Sequence, residues 1–61
     1  MEQLLLSPQE AAQSLGISRS RLYELIRKQE LVSILIGRSR RIPVVALREY
    51  VQKMTDNAWV A

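Results

Sequence analysis

Four consecutive residues, Leu15-Gly16-Ile17-Ser18, constrain the fold more than any other feature, because they set a helix stop directly before a helix start. Glycine takes the left-handed conformation that ends a helix, and an isoleucine behind it is an apolar plug. Serine is a preferred helix N-cap. Upstream, Ser7-Pro8-Gln9-Glu10 carries a matching start signal: Ser7 as cap, Pro8 in the first turn, and Glu10 three residues on to complete a capping box. The spacing predicts a short strand over residues 4–6, a first helix from about Pro8, and a second opened by Ser18 and running through about Lys28 or Gln29. Two short helices joined by a glycine-containing turn outline a helix-turn-helix.

A chain of 61 residues makes one domain, with a core over about residues 4–56 and a tail over 57–61. A domain of this size buries only about 60% of the surface its unfolded chain exposes. With no cysteine and no histidine, neither a disulfide framework nor a Cys/His zinc site supplies extra stability. The chain therefore folds by packing alone or with a partner, and no metal or cofactor is expected. Its start has no basic segment followed by an apolar one, and no apolar run approaches the ~18 residues that span a bilayer. The expectation is an intracellular, cytoplasmic protein without a membrane partner.

Projected at the helical period, the second helix gathers Leu22, Leu25, Ile26 and Gln29 into a mostly apolar stripe that packs on the first. The opposite side carries Ser20, Glu24 and Arg27 near its centre, Tyr23 on one flank, and Arg21 and Lys28 on the other. Arginine bonds guanine edges or phosphate, hydroxyls donate to phosphate, and glutamate accepts from the cytosine amino group. This set suits a major-groove reader; the plainer reading is a solvated helix face of mixed charge.

The segment beyond the helix pair favours the first reading. Residues 32–36 are rich in β-branched side chains, residues 40–43 can return beside them, and Gly37 supplies the turn of a β-hairpin. Ile34, Ile36 and Ile42 are expected to join the core, while Arg38 and Arg40 stand at the tip with Arg41 close behind. These arginines either meet a polyanion or keep an exposed strand edge from pairing with another chain. Pro43 then leads into a third helix with Val44, Leu47, Val51 and Met54 as its apolar stripe, Tyr50 at the edge and a Glu49–Lys53 pair outside. Charge follows the same map. Residues 18–41 hold seven bases against two acids, a net +5, whereas residues 1–17 carry −2 and residues 42–61 are neutral. The positive field is local, as on a polyanion-binding surface.

The stretch from S-P-Q-E-A-A through L-G-I-S-R-S, L-Y-E-L-I-R, I-G-R and R-I-P, covering about residues 4–51, resembles the excisionase-family DNA-binding domain. That is a MerR-like winged helix-turn-helix: mainly α, three helices and a small β-hairpin wing. The resemblance implies that the second helix enters the major groove, with Arg19, Ser20, Arg21, Tyr23, Glu24 and Arg27 in or beside it and Lys28 at its end. It also implies a wing carrying Arg38 and Arg40, with Arg41 nearby, against the backbone or minor groove. Arg40 stands where many members have an aromatic residue, which implies a more highly charged wing. The function so implied is a phage-type excisionase, or recombination directionality factor, that bends double-stranded attachment-site DNA beside a separate integrase in a bacterial host.

Two alternatives belong beside it. One is a small transcriptional regulator or the DNA-binding module of a larger protein; with no effector segment evident, the excisionase reading is preferred. The other is a protein-interaction, antitoxin-like module, since Ala58-Trp59-Val60-Ala61 is an apolar end after an expected helix stop at Asp56-Asn57. Catalysis is not expected. The chain has no histidine, cysteine or glycine-rich phosphate loop, its six carboxylates are scattered, and no small-molecule substrate is implied. A monomer this small covers little DNA, so neighbouring copies are expected to bind cooperatively, head to tail.

Overall fold

The computed structural model describes residues 3–58. Along the chain these form β1 (Leu5–Leu6), α1 (Pro8–Leu15), α2 (Arg19–Arg27), β2 (Ile34–Ile36), β3 (Ser39–Pro43) and α3 (Val44–Ala58). Trp59, with the rest of the apolar end after Ala58, lies outside the described residues.

Local signals place the helix ends. Ser7 is extended, its Oγ accepts from the Glu10 N–H at 3.2 Å, and Glu10 Oε1 accepts from the Ser7 N–H at 3.0 Å. The capping box thus satisfies two donors that a helix start leaves without intrahelical partners. At the far end of α1, Gly16 has φ 69°, its N–H donates to Gln13 O at 3.1 Å, and the Ile17 N–H donates to Ala12 O at 3.0 Å. These are the two bonds of a Schellman motif. Ser18 then caps α2, its Oγ accepting from the Arg21 N–H at 3.1 Å.

The second helix ends earlier than its pattern predicts. Gln29 takes φ 61°, its N–H donates to Ile26 O at 3.0 Å, and the Glu30 N–H donates to Leu25 O at 2.9 Å. This is a second Schellman motif with glutamine in the left-handed position. Gln29 is therefore exposed and leaves the apolar stripe, while the reversal carries Leu31 into the core, where it is buried.

Ala11 and Ala12 of α1, Leu22 and Leu25 of α2, Leu31, Ile42 of β3 and Leu47 of α3 form that core. Two alanines with almost no side-chain bulk let α1 approach α2 closely. Leu6, Leu15, Ile17, Ile26, Ala46 and Tyr50 pack around it, partly buried. The sheet order is β1-β3-β2, antiparallel throughout, with Leu5 opposite Pro43 and Leu6 opposite Ile42 on one side of β3. On the other side Ile34 faces Arg41, Leu35 faces Arg40 and Ile36 faces Ser39. The Val44 N–H, a free donor at the start of α3, is satisfied by Leu4 O at 3.0 Å, which ties the N-terminal strand to that helix.

Several core expectations are corrected. Ile42 is buried, but Ile34 and Ile36 keep 39% and 55% of their surface exposed. Paired with Arg41 and Ser39, they lie on the face of the sheet away from Ile42, on the edge strand β2. Val51 and Met54 also remain 47% and 38% exposed, bordering an open cavity with Leu15, Ile17 and Leu25 rather than filling the core. At about 1.5 Å per residue the 15-residue α3 is nearly twice the length of the 8-residue α1. Asp56 and Asn57 do not stop α3, which runs through both to Ala58; Asp56 Oδ1 instead accepts from Gln52 Nε2 one turn back at 3.0 Å. No Glu49–Lys53 ion pair forms among the described residues.

Candidate nucleic-acid interface

The face of α2 turned away from the core is built by the burial of Leu22 and Leu25. With those two inward, Arg19, Ser20, Arg21, Arg27 and the C-capping Lys28 are exposed, and Tyr23 and Glu24 are half-exposed. All seven residues singled out on this helix therefore reach solvent.

They are organised among themselves. The Arg19 guanidinium carbon lies 5.8 Å from the centroid of the Tyr23 ring, within cation–π range. Glu24 Oε1 is 3.3 Å from Arg21 Nη1 and 3.2 Å from Lys28 Nζ, so one carboxylate links cations on successive turns. The Lys28 hydrogen bond and charge, then the Arg21 charge, hold the Glu24 carboxyl below its ordinary pKa. Glu24 is thus engaged within the protein rather than free to accept from a base. Both pairs are exposed to solvent, so a phosphate can replace Glu24 as the partner of Arg21 or Lys28 at small cost.

The wing begins where α2 ends. Gly37 has φ 63° and Arg38 an ordinary negative φ, the pattern of a type II′ turn, in which glycine is preferred at the first central position. That turn separates the three arginines. Arg38 is exposed in the turn itself, whereas Arg40 is half-buried and donates from Nη1 to Ser33 Oγ at 2.8 Å. Arg40 lines a cleft with Ile26, Gln29, Leu31, Val32 and Ser33, between the end of α2 and the base of the wing. Arg41 points to the opposite face of β3, close enough to Glu10 to help lower its pKa behind the larger effect of the Ser7 hydrogen bonds.

Arg40 therefore does not share the tip with Arg38, as sequence reading has it. Strand alternation was the available signal, since Arg40 lies two residues from buried Ile42 and so on the same face. The Ser33 partner had no local signal, being a contact across seven residues of chain. Edge protection also fits the arginines poorly: Arg40 and Arg41 sit on the central strand, while edge strand β2 is wholly aliphatic.

Among the described residues no cluster of three or more metal-ligating side chains occurs, and no helix is long and apolar enough to cross a membrane. Together the two elements offer a basic helix face and a basic loop tip, with the cleft at Arg40 joining them.

A family model described as a helix-turn-helix domain matches residues 5–55. A probable excisionase of Saccharopolyspora erythraea is 41% identical over 51 residues, which are 84% of this chain and 52% of that protein. An excisionase of Streptomyces ambofaciens is 39% identical over 54 residues, 88% of this chain and 87% of that one. The chain thus spans about half the length of the first relative (52%) and most of the second (87%). No solved structure matches the chain.

Proposed function

The chain belongs to the excisionase family of helix-turn-helix domain proteins, and on that premise we propose that it is a sequence-specific, double-stranded DNA-binding excisionase. It works without catalysing a reaction. In this reading α2 lies in the major groove, where Arg27 and Ser20 read base edges and Arg19, Arg21, Tyr23 and Lys28 hold phosphates. Glu24 keeps Arg21 and Lys28 in position. Arg38 reaches the flanking phosphates or minor groove, Arg40 fixes the wing to the end of α2, and Arg41 adds charge behind it.

The observation that carries the reading is the exposure of Arg19, Arg21, Arg27 and Lys28 on the outer side of α2 and of Arg38 at the wing turn, within a segment, residues 18–41, that carries a net +5. Adjacent copies occupy an attachment site head to tail, bend it, and help a separate integrase assemble for excision on DNA in the bacterial cytoplasm. The test is reconstitution. Purified chain, a separate integrase and a supercoiled plasmid carrying both attachment sites should yield excised product in proportion to the chain added. Tight, specific binding at a promoter without any effect on excision would instead make it a transcriptional regulator.

A further inference from the structure

We propose that the aliphatic strand of the wing is itself a DNA contact: β2 enters the minor groove edge-on and lays Leu35 and Ile36 against its two deoxyribose walls. The inference rests on the DNA-binding reading above and adds an apolar, salt-independent part to a surface so far described by its charges.

Three observations carry it. First, Leu35 and Ile36 are 59% and 55% exposed, with Val32 and Ile34 exposed beside them. Soluble proteins guard such an edge with charge or proline on the edge strand itself, and β2 has neither. Second, each β2 residue is paired with Arg41, Arg40 or Ser39 of β3, and no acid occurs between Glu30 and Glu49. An aliphatic ridge bordered by two arginines and a serine, with no acid, is complementary to a surface that is apolar between two rows of negative charge. Sugar walls between phosphates have that character. Third, successive strand side chains point to opposite faces, so Leu35 and Ile36 straddle the edge of the ribbon. B-DNA's minor groove is about 6 Å wide, narrower than a strand with side chains on both faces, so this insertion requires the groove to widen, as the bending in the proposed function provides. Apolar side chains are a recurrent means of minor-groove contact.

The experiment uses the full chain, a duplex carrying a single selected site, and the double variant Leu35→Thr/Ile36→Thr, which keeps β propensity at two exposed positions. The expected result is binding about tenfold weaker at every salt concentration, from the lost apolar burial, with the slope of log K against log salt unchanged. The heat-capacity change of binding becomes less negative. Arg38→Ala, measured beside it, lowers the slope by about 0.9 instead. Should the double variant fail to melt cooperatively, Ile36→Thr alone gives the same readout at smaller amplitude. Unchanged single-site affinity overturns the proposal. So does a variant that binds one site normally but loses cooperativity on a multi-site fragment, since β2 would then be a contact between protein copies. Failure of the unaltered chain to bind any duplex is a distinct result that removes the DNA-binding reading along with it.

Discussion

Arg40 and Ser33 are joined by a 2.8 Å hydrogen bond that fastens the central strand of the wing to the loop leaving α2. Arg38, two residues away, is exposed in the turn. Two arginines that look equivalent in the sequence thus have different tasks. Arg40→Ala is expected to lower stability by about 1 kcal/mol, the scale of one partly buried hydrogen bond, while leaving the salt slope of DNA binding nearly unchanged. Arg38→Ala is expected to do the reverse. Urea melts and salt-dependent titrations of both variants separate the roles; a larger slope change for Arg40→Ala would reverse the assignment.

Glu24 bridges Arg21 and Lys28, and its charge opposes the approach of DNA. Glu24→Gln is expected to raise affinity for unrelated sequence more than for the selected site and to steepen the salt dependence, because two cations gain freedom to meet phosphate. The specificity ratio falls in consequence. Competition with random duplex measures it. A fall in non-specific affinity would show that Glu24 serves chiefly to hold the helix together.

The capping box makes the start of α1 sensitive to acid. Hydrogen bonds from Ser7 lower the Glu10 pKa, so the carboxylate stabilises the folded chain fully above its unfolded pKa, near 4.5. That contribution is lost as pH falls through the lower folded value. Glu10→Gln is expected to flatten the stability profile below the unfolded pKa and to change little at neutral pH, where a glutamine can still accept from the Ser7 N–H. Melting curves across this window check it, and a neutral-pH loss as large as that of Ser7→Ala would contradict it.

Gln29 occupies a left-handed position with its side chain in solvent. Gln29→Gly is expected to stabilise the chain by about 0.5–1 kcal/mol, the relief of side-chain strain partly offset by the freedom glycine gains when unfolded. A urea midpoint that moves down would mean that the glutamine side chain contributes more than its backbone costs.

The same residue shows where the sequence was legible. Gly16 announced the end of α1 because glycine is the ordinary occupant of that conformation; Gln29 makes the identical pair of hydrogen bonds without announcing them. Caps formed by Ser7, Glu10 and Ser18 were readable for the same reason, each joining residues three apart. The hairpin was readable from Gly37 and its β-branched flanks. Which of its residues would be buried was not, since that depends on the order β1-β3-β2 and on where the core ends. Ile42 and Ile36 look alike in sequence, yet one lies on the central strand against the core and the other on an edge strand, turned to the opposite face of the sheet. At the candidate site, helix periodicity sufficed for α2, whereas the separation of Arg38 from Arg40 depended on Ser33, seven residues distant from Arg40.

The central claim is that α2 reads bases and that Arg27, exposed on its outer face, is one of the readers. Binding-site selection from a random duplex library, run in parallel with the unaltered chain and with Arg27→Ala, tests it most directly. The unaltered chain is expected to recover one defined site, and Arg27→Ala to lose preference at one or two positions of it, at a cost of about 1–3 kcal/mol on the selected site. Recovery of no preferred sequence by the unaltered chain, or a uniform loss of affinity by the variant with its preference intact, would contradict the claim.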